Sequence, residues 1–385
     1  LAKNVRTDDD GLAEPLELSE DFHHLDARPR VEAAGGFVEQ QQLRIVNQHA
    51  RQPEPLLHPA AQRADERAFF RECDPAGYIF FKRNIVDRTQ LRALTDDLRA
   101  LSGRDDLAIL IDQEGGRVAR MQPPTWPAFP PGGAFDTLYD VAPMTAIEAA
   151  RVNAEALGLM LSEVGITVDC LPLLDVRVPE THPAIGDRAL GSEPMRVAAL
   201  GRATIEGLRA GGVVGVVKHM PGQGRAVVDS HLELPSVSAS DADLEQDLAP
   251  FAALKDAPMG MTGHIVFPAW DKDRCATMSP TIITEIIRGK IGFTGLLMSD
   301  DLDMKALKGD VPQRAADCVA AGCDVALNCW GRFDEMVAIA NLLPEITPGA
   351  RARLDAAMAT CTPVYPSDRI AELMAKRDAL LALAG

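Results

Sequence analysis

The sequence predicts an α/β fold of parallel strands, and within that class a (β/α)₈ barrel whose first strand is missing or degenerate. Three observations carry this. From about Ala61 onward, short apolar runs alternate with amphipathic helical patterns, which is how βαβ units with both sheet faces covered read in sequence. Nearly every apolar run ends in polar or charged residues: Asp112-Gln113-Glu114, Asp175, Lys218-His219, His264 and Ser299-Asp300-Asp301. Barrel active sites draw on many strand ends, whereas a doubly wound sheet gathers its ligands at one switch point. Finally, 385 residues leave room for one large domain or two smaller ones, and α/β barrels run to about 250 residues or more as a single domain.

The elements follow in order. Residues 1–58 hold the run Asp8-Asp9-Asp10 with scattered Pro, Gln, His and Arg, and only 36–46 hints at a strand. This part reads as irregular or disordered. Pro53, Pro55 and Pro59 are hostile to a central strand. The segment is therefore expected to come from a frameshift, fusion or wrong start, with the barrel domain spanning 59–385. Strands are expected at 77–81, 107–112, 167–176, 213–219, 259–266, 296–299 and 324–328. Helical patterns fall between them at 88–102, 144–164, 193–210, 240–254 and 281–288, and after them at 332–343, 351–360 and 368–383. Seven strands are one short of a barrel, and the missing one should precede Ala61.

Composition narrows the function. Lys and Arg number 39 against 56 Asp and Glu, a formal charge of −17. That balance argues against nucleic acid and anionic membranes as partners, since both reward basic patches. The seven Cys are scattered, with no CxxC, so neither a disulfide framework nor a zinc site is expected. Cys170 and Cys329 lie in apolar runs and read as buried free thiols, which suits the cytoplasm. No stretch of 18 apolar residues occurs, and the N-terminus lacks a signal-peptide layout. A monomer acting on a small substrate without cofactor or metal is expected.

Three segments carry chemistry. In 111–120, Asp112 and Arg120 flank the pair Gly115-Gly116; an Asp and an Arg suit sugar hydroxyls, though a salt-bridged turn reads equally well. In 218–235, Lys218-His219 opens a Gly-rich loop that presents Asp229 and His231 two residues apart. In an extended segment both side chains project the same way. The carboxylate can then fix the ring's tautomer and favour its charged form, making His231 a proton donor and acceptor near neutral pH. A local hydrogen bond or half of a metal site is the alternative. In 295–304, a buried-looking strand delivers Asp300, Asp301 and Asp303. A carboxylate there can attack an electrophilic carbon, ligate Mg²⁺ or cap a helix. His264 and Arg188, on a strand end and a loop, are weaker signals.

In order and spacing, DxEGGRVxR, KHxPGxGx₄DSHxxLP and SDDLxM resemble the family 3 glycoside hydrolases, above all the single-domain bacterial β-N-acetylglucosaminidases of cell-wall recycling. The resemblance runs from about Ala61 to near the C-terminus and leaves 1–58 out. It implies a barrel that cleaves by double displacement with retention, with Asp300 as nucleophile, His231 as acid/base and Asp229 as its partner. It implies that Asp112, Arg120, Arg188, Lys218 and His219 bind the N-acetylglucosamine unit, with muropeptides as substrates. Two departures stand out: Gln223 replaces the usual His of PGHG, and Arg225 follows where Asp is frequent. A β-glucosidase or N-acetylglucosaminide phosphorylase on the same scaffold, a non-catalytic sugar-binding relic and a metal-dependent hydrolase are the competing readings.

Overall fold

The computed structural model describes residues 45–47, 64–230, 232–362 and 369–384. Ten strands occur among them: β1 Ile45–Asn47, β2 Gly77–Phe80, β3 Ala108–Ile111, β4 Val168–Asp169, β5 Val214–Met220, β6 Met259–Thr262, β7 Val266–Phe267, β8 Asp271–Cys275, β9 Leu296–Met298 and β10 Leu327–Asn328. The helices are α1 Ala64–Cys73, α2 Arg88–Ser102, α3 Gly132–Val141, α4 Pro143–Glu163, α5 Pro194–Ala210, α6 Asp241–Ala253, α7 Val311–Ala321, α8 Phe333–Leu342, α9 Pro348–Met358 and α10 Arg369–Leu381. Ile282–Lys290 is a π-helix.

Helix limits follow local chemistry. Asp87 accepts from the Gln90 N–H at the start of α2, and Gly103 closes it in the left-handed region at φ 65°. Glu193, Ser240 and Asp310 cap α5, α6 and α7 through their side chains, each satisfying a donor the helix leaves unpaired. Pro at the first turn of α4, α5 and α7 costs no hydrogen bond there.

Eight strands form one curled parallel sheet in the order β10-β1-β2-β3-β4-β5-β6-β9, and β7 and β8 make a separate antiparallel pair. A further parallel bridge joins Met298, at the end of β9, to Val325, just ahead of β10. Strand residues alternate between one shared cluster and two others, one of which takes Val217 and Leu297. Ile79, Leu110, Val168, Val214, Val216, Met259, Met261, Leu296, Met298 and Leu327 cluster together. Tyr78, Phe80, Ile109 and Ile111 pack instead with helix residues such as Leu91, Leu98 and Leu157. This period of two, apolar on both faces, belongs to parallel strands covered by helices.

The expectation of a missing first strand needs correction. Ile45–Asn47 is a strand that pairs in parallel with β10 on one side and β2 on the other, placing Ile45 opposite Leu327 and Gly77. The prolines that argued against a strand come after it and fall, like the rest of 1–58, outside the described residues. Three helices, α1, α3 and α7, were also unread. Both α3 and α7 begin at Gly or Pro positions that resemble turns in sequence.

Candidate active site

Strand β3 ends at Ile111, and the next residues turn back sharply. Gly115 and Gly116 have φ of 94° and 56°, and a Cβ on Gly115 would lie 2.3 Å from the Pro130 carbonyl oxygen. Only glycine fits such a turn. The turn holds Asp112 and Glu114 beside Lys218, which leaves β5 two residues before its end. The Lys218 Nζ stands 3.1 Å from Asp112 Oδ1 and 2.7 Å from Glu114 Oε1. Arg188, on the short turn Gly186–Arg188, grips Glu114 with both Nε and Nη2 at 2.7 Å. Arg120 donates to Asp112 Oδ2 at 3.1 Å, and its backbone N–H is fixed by the Gln113 side chain at 2.8 Å.

Two carboxylates and three cations thus interlock, and their charges sustain one another. Burial alone would raise the Glu114 carboxyl, but Lys218 and Arg188 overcome it and bring it down to about 2. Burial works against Asp112 in the same way and is outweighed by Lys218 and Arg120. Lys218 is only 2% exposed; burial would discharge it, but Glu114 and Asp112 hold it charged.

A second cluster rests on Asp175, which is fully buried. Its Oδ2 lies 2.8 Å from His219 Nδ1, and its Oδ1 accepts from the backbone N–H of His219 and of Gln223. A carboxylate at Nδ1 fixes the ring's orientation. Gln223 Nε2 in turn donates to Ser230 Oγ at 2.9 Å. Below Asp112, burial pushes the Asp169 carboxyl well up, and its Oδ1 accepts from the Gln113 N–H.

The third contribution comes from the turn after β9. Asp300 Oδ1 accepts from the Asp301 N–H at 2.7 Å. Burial first, and then Asp303, push the Asp301 carboxyl up to about 8. His264 is a satisfied core residue: it contacts Thr277 Oγ1 through Nδ1 and donates from Nε2 to the Asp301 carbonyl, at 2.8 and 2.9 Å. Neither Asp301 nor Asp303 caps a helix. Asp303 Oδ2 instead accepts from Asn328 Nδ2 and the N–H groups of Cys329 and Trp330.

All three clusters line one cavity of about 680 Å³, within the ordinary range of roughly 300–1,000 Å³ for ligand pockets. Its wall includes Asp112, Arg120, Arg188, Lys218, His219, Asp229 and Asp300, so seven of the eight residues singled out in the sequence meet there. The eighth, His231, lies outside the described residues. Glu114, Arg83 and Trp330 also line the wall and were not singled out. Glu114 was open to detection, being two residues beyond Asp112 on the same face of an extended segment. Among the described residues, no three His, Cys, Asp or Glu are placed to hold a metal ion, and no helix is long and apolar enough to cross a membrane.

Comparison with known proteins agrees with this geometry. The β-hexosaminidase of Chromobacterium violaceum is 38% identical over 295 residues, covering 75% of this chain and 82% of that protein. The β-hexosaminidase of Alkalilimnicola ehrlichii is 38% identical over 300 residues, with coverages of 76% and 84%. The crystal structure of NagZ from Neisseria gonorrhoeae in complex with N-trifluoroacetyl-D-glucosamine matches with a TM-score of 0.77 at 28% identity, over 90% of this chain and 99% of that one. The model of the glycosyl hydrolase family 3 N-terminal domain matches residues 38–362. The match begins ahead of 58, where the sequence patterning showed no resemblance, and it takes in β1. With the curled parallel sheet, the charged cavity at its strand ends and this match over most of its length, the chain belongs to glycosyl hydrolase family 3 and is a glycoside hydrolase.

Proposed function

We propose that the chain is a retaining β-N-acetylhexosaminidase, built on a closed (β/α)₈ barrel, that removes non-reducing terminal N-acetylglucosamine from peptidoglycan fragments. The observation that carries it is that Asp300 shares a cavity wall with the interlocked Asp112, Glu114, Arg120, Arg188 and Lys218. Such a cluster presents fixed donors and acceptors to a sugar ring while a carboxylate faces the same space. The Met298–Val325 bridge supports closure, since it joins β9 to the segment leading into β10.

In this mechanism Asp300 attacks the anomeric carbon and forms a glycosyl ester. The leaving oxygen takes a proton from His231, whose charged form Asp229 favours. Water then gives a proton back to His231 and attacks the same carbon, breaking the ester bond and restoring Asp300. Two inversions leave the β configuration intact. Asp112 accepts from sugar hydroxyls, while Lys218, Arg120, Arg188 and His219 act as donors. Asp301, neutral below pH about 8, adds no charge beside the nucleophile.

The test is release of 4-nitrophenol from its β-N-acetylglucosaminide by the wild type and by Asp300→Ala, between pH 5 and 8. The variant should lose ~10³-fold or more in kcat. Proton NMR of the first product should show the β anomer. A first-formed α anomer would sink retention, and sugar 1-phosphate formed in phosphate buffer would reassign the enzyme as a phosphorylase.

A further inference from the structure

The cavity has a buried floor and an exposed rim. Lys218, Glu114 and His219 form the floor, each at most 6% exposed, while Trp330 at the rim is 58% exposed. Tryptophan is mostly buried on average, so an indole held out in water needs a reason, and looseness of its loop does not supply one. Asp303 Oδ2 accepts from Asn328 Nδ2, Cys329 N–H and Trp330 N–H at 2.8 to 3.1 Å. Arg83 donates to the Cys329 carbonyl and packs 4.8 Å from the Phe81 ring. The Arg332 guanidinium stands 5.6 Å from the indole and is tied to Glu335 at 2.7 Å. The backbone on both sides of the Cys329–Trp330 bond is anchored, and the anchor, Asp303, comes from the same turn as Asp300.

We propose that Trp330 is the floor of a leaving-group subsite, on which the pyranose ring attached to the reducing side of the cleaved sugar stacks. A pyranose presents one face of polarised C–H groups, and an indole presents a broad face of negative potential. Rigid anchoring lowers the entropy lost when the two meet. The subsite rests on the reading of this cavity as a β-N-acetylhexosaminidase site. It assigns the substrate class as a glycoside whose leaving group is itself a sugar.

The experiment compares N,N′-diacetylchitobiose, which has a pyranose leaving group, with β-N-acetylglucosaminyl azide, whose leaving group is too small to stack. Trp330→Ala should raise KM for the disaccharide about tenfold, equivalent to ~1.4 kcal/mol. It should leave the azide kinetics, inhibition by free N-acetylglucosamine and the Tm within twofold or a few degrees of wild type. Trp330→Phe, which keeps a ring, should recover most of the loss. A direct reading uses fluorescence. The chain has three tryptophans, of which only Trp330 is exposed. Disaccharide added to Asp300→Ala should shift emission to the blue, and the shift should vanish in Asp300→Ala with Trp330→Phe. Equal KM changes on both substrates, or no change on either, would overturn the subsite while leaving the hexosaminidase reading intact. A folded wild type that cleaves neither substrate would overturn both.

Discussion

Glu114 is the residue on which the charged cavity turns. It is bound by Arg188 twice and by Lys218 once, and removing its charge leaves two buried cations short of a partner. Losing one member of a buried ion pair costs about 3–5 kcal/mol, so Glu114→Gln should lower Tm sharply and raise KM more than it lowers kcat. The pH dependence has a definite sign. Glu114 holds its charge down to about 2 in the fold against 4.5 ordinarily, so its stabilisation is full above 4.5 and is lost as pH falls toward 2. The Tm gap between wild type and Glu114→Gln should close over that window; a gap constant from pH 7 to 3 would refute the assignment. Asp301 has the opposite sign. The unfolded chain ionises it near 3.8 while the fold keeps it protonated to about 8, so it costs stability increasingly as pH rises through that range. Asp301→Asn keeps an acceptor for the Asp303 N–H and should unfold at a higher temperature than wild type at pH 7 to 8, with the difference vanishing near pH 3. At this scale the sequence was informative where polar residues follow an apolar run, as with Asp112, Lys218 and Asp300. It placed Asp175 at a strand end but was silent on its partners, His219 and Gln223, which lie more than forty positions away, because pairing between distant strands leaves no local pattern.

Among elements, the exit of β3 is the most constrained. Gly115 combines φ of 94° with a carbonyl oxygen where a Cβ would stand, so Gly115→Ala cannot be absorbed by rotating a side chain. We expect it to displace Glu114 and reduce kcat/KM on the chromogenic substrate by at least tenfold, whereas Gly103→Ala, at a left-handed helix end with open space around it, should cost only stability. Similar activity in the two variants would show that the turn does not position Glu114. Most helices were legible from their periodicity, and α2 agrees with its expected range end to end. Most strands were overestimated in length: 167–176 shrinks to Val168–Asp169, because Pro172 lacks an N–H and interrupts the regular ladder, although Leu173 still bridges Lys218. The strand at Ile45–Asn47 was only hinted at, by the end of 36–46, because three residues are too few to show alternation, and its pairing lies entirely with its neighbours on either side.

For the whole molecule, the question is what would hold the proposed barrel shut. Each proposed edge is covered by a partner: β1 lies between β10 and β2, and β9 reaches the segment before β10 through Met298 and Val325. Val46→Pro would remove one backbone N–H from this seam. In hydrogen exchange, the amides of β2 and β10 should lose protection well before those of β5 and β6. Uniform loss across all eight strands would mean the sheet opens as a unit.

The pairing of Ile45 with Leu327 also has a bearing on how the chain is made. A ribosome emits β1 long before β10 exists, so β1 has one partner of two until β10 follows. Contacts between such distant segments form slowly because the loop between them must first be ordered. The nascent protein therefore carries an open strand edge until β10 emerges. A first strand only three residues long keeps that edge too short to recruit another chain.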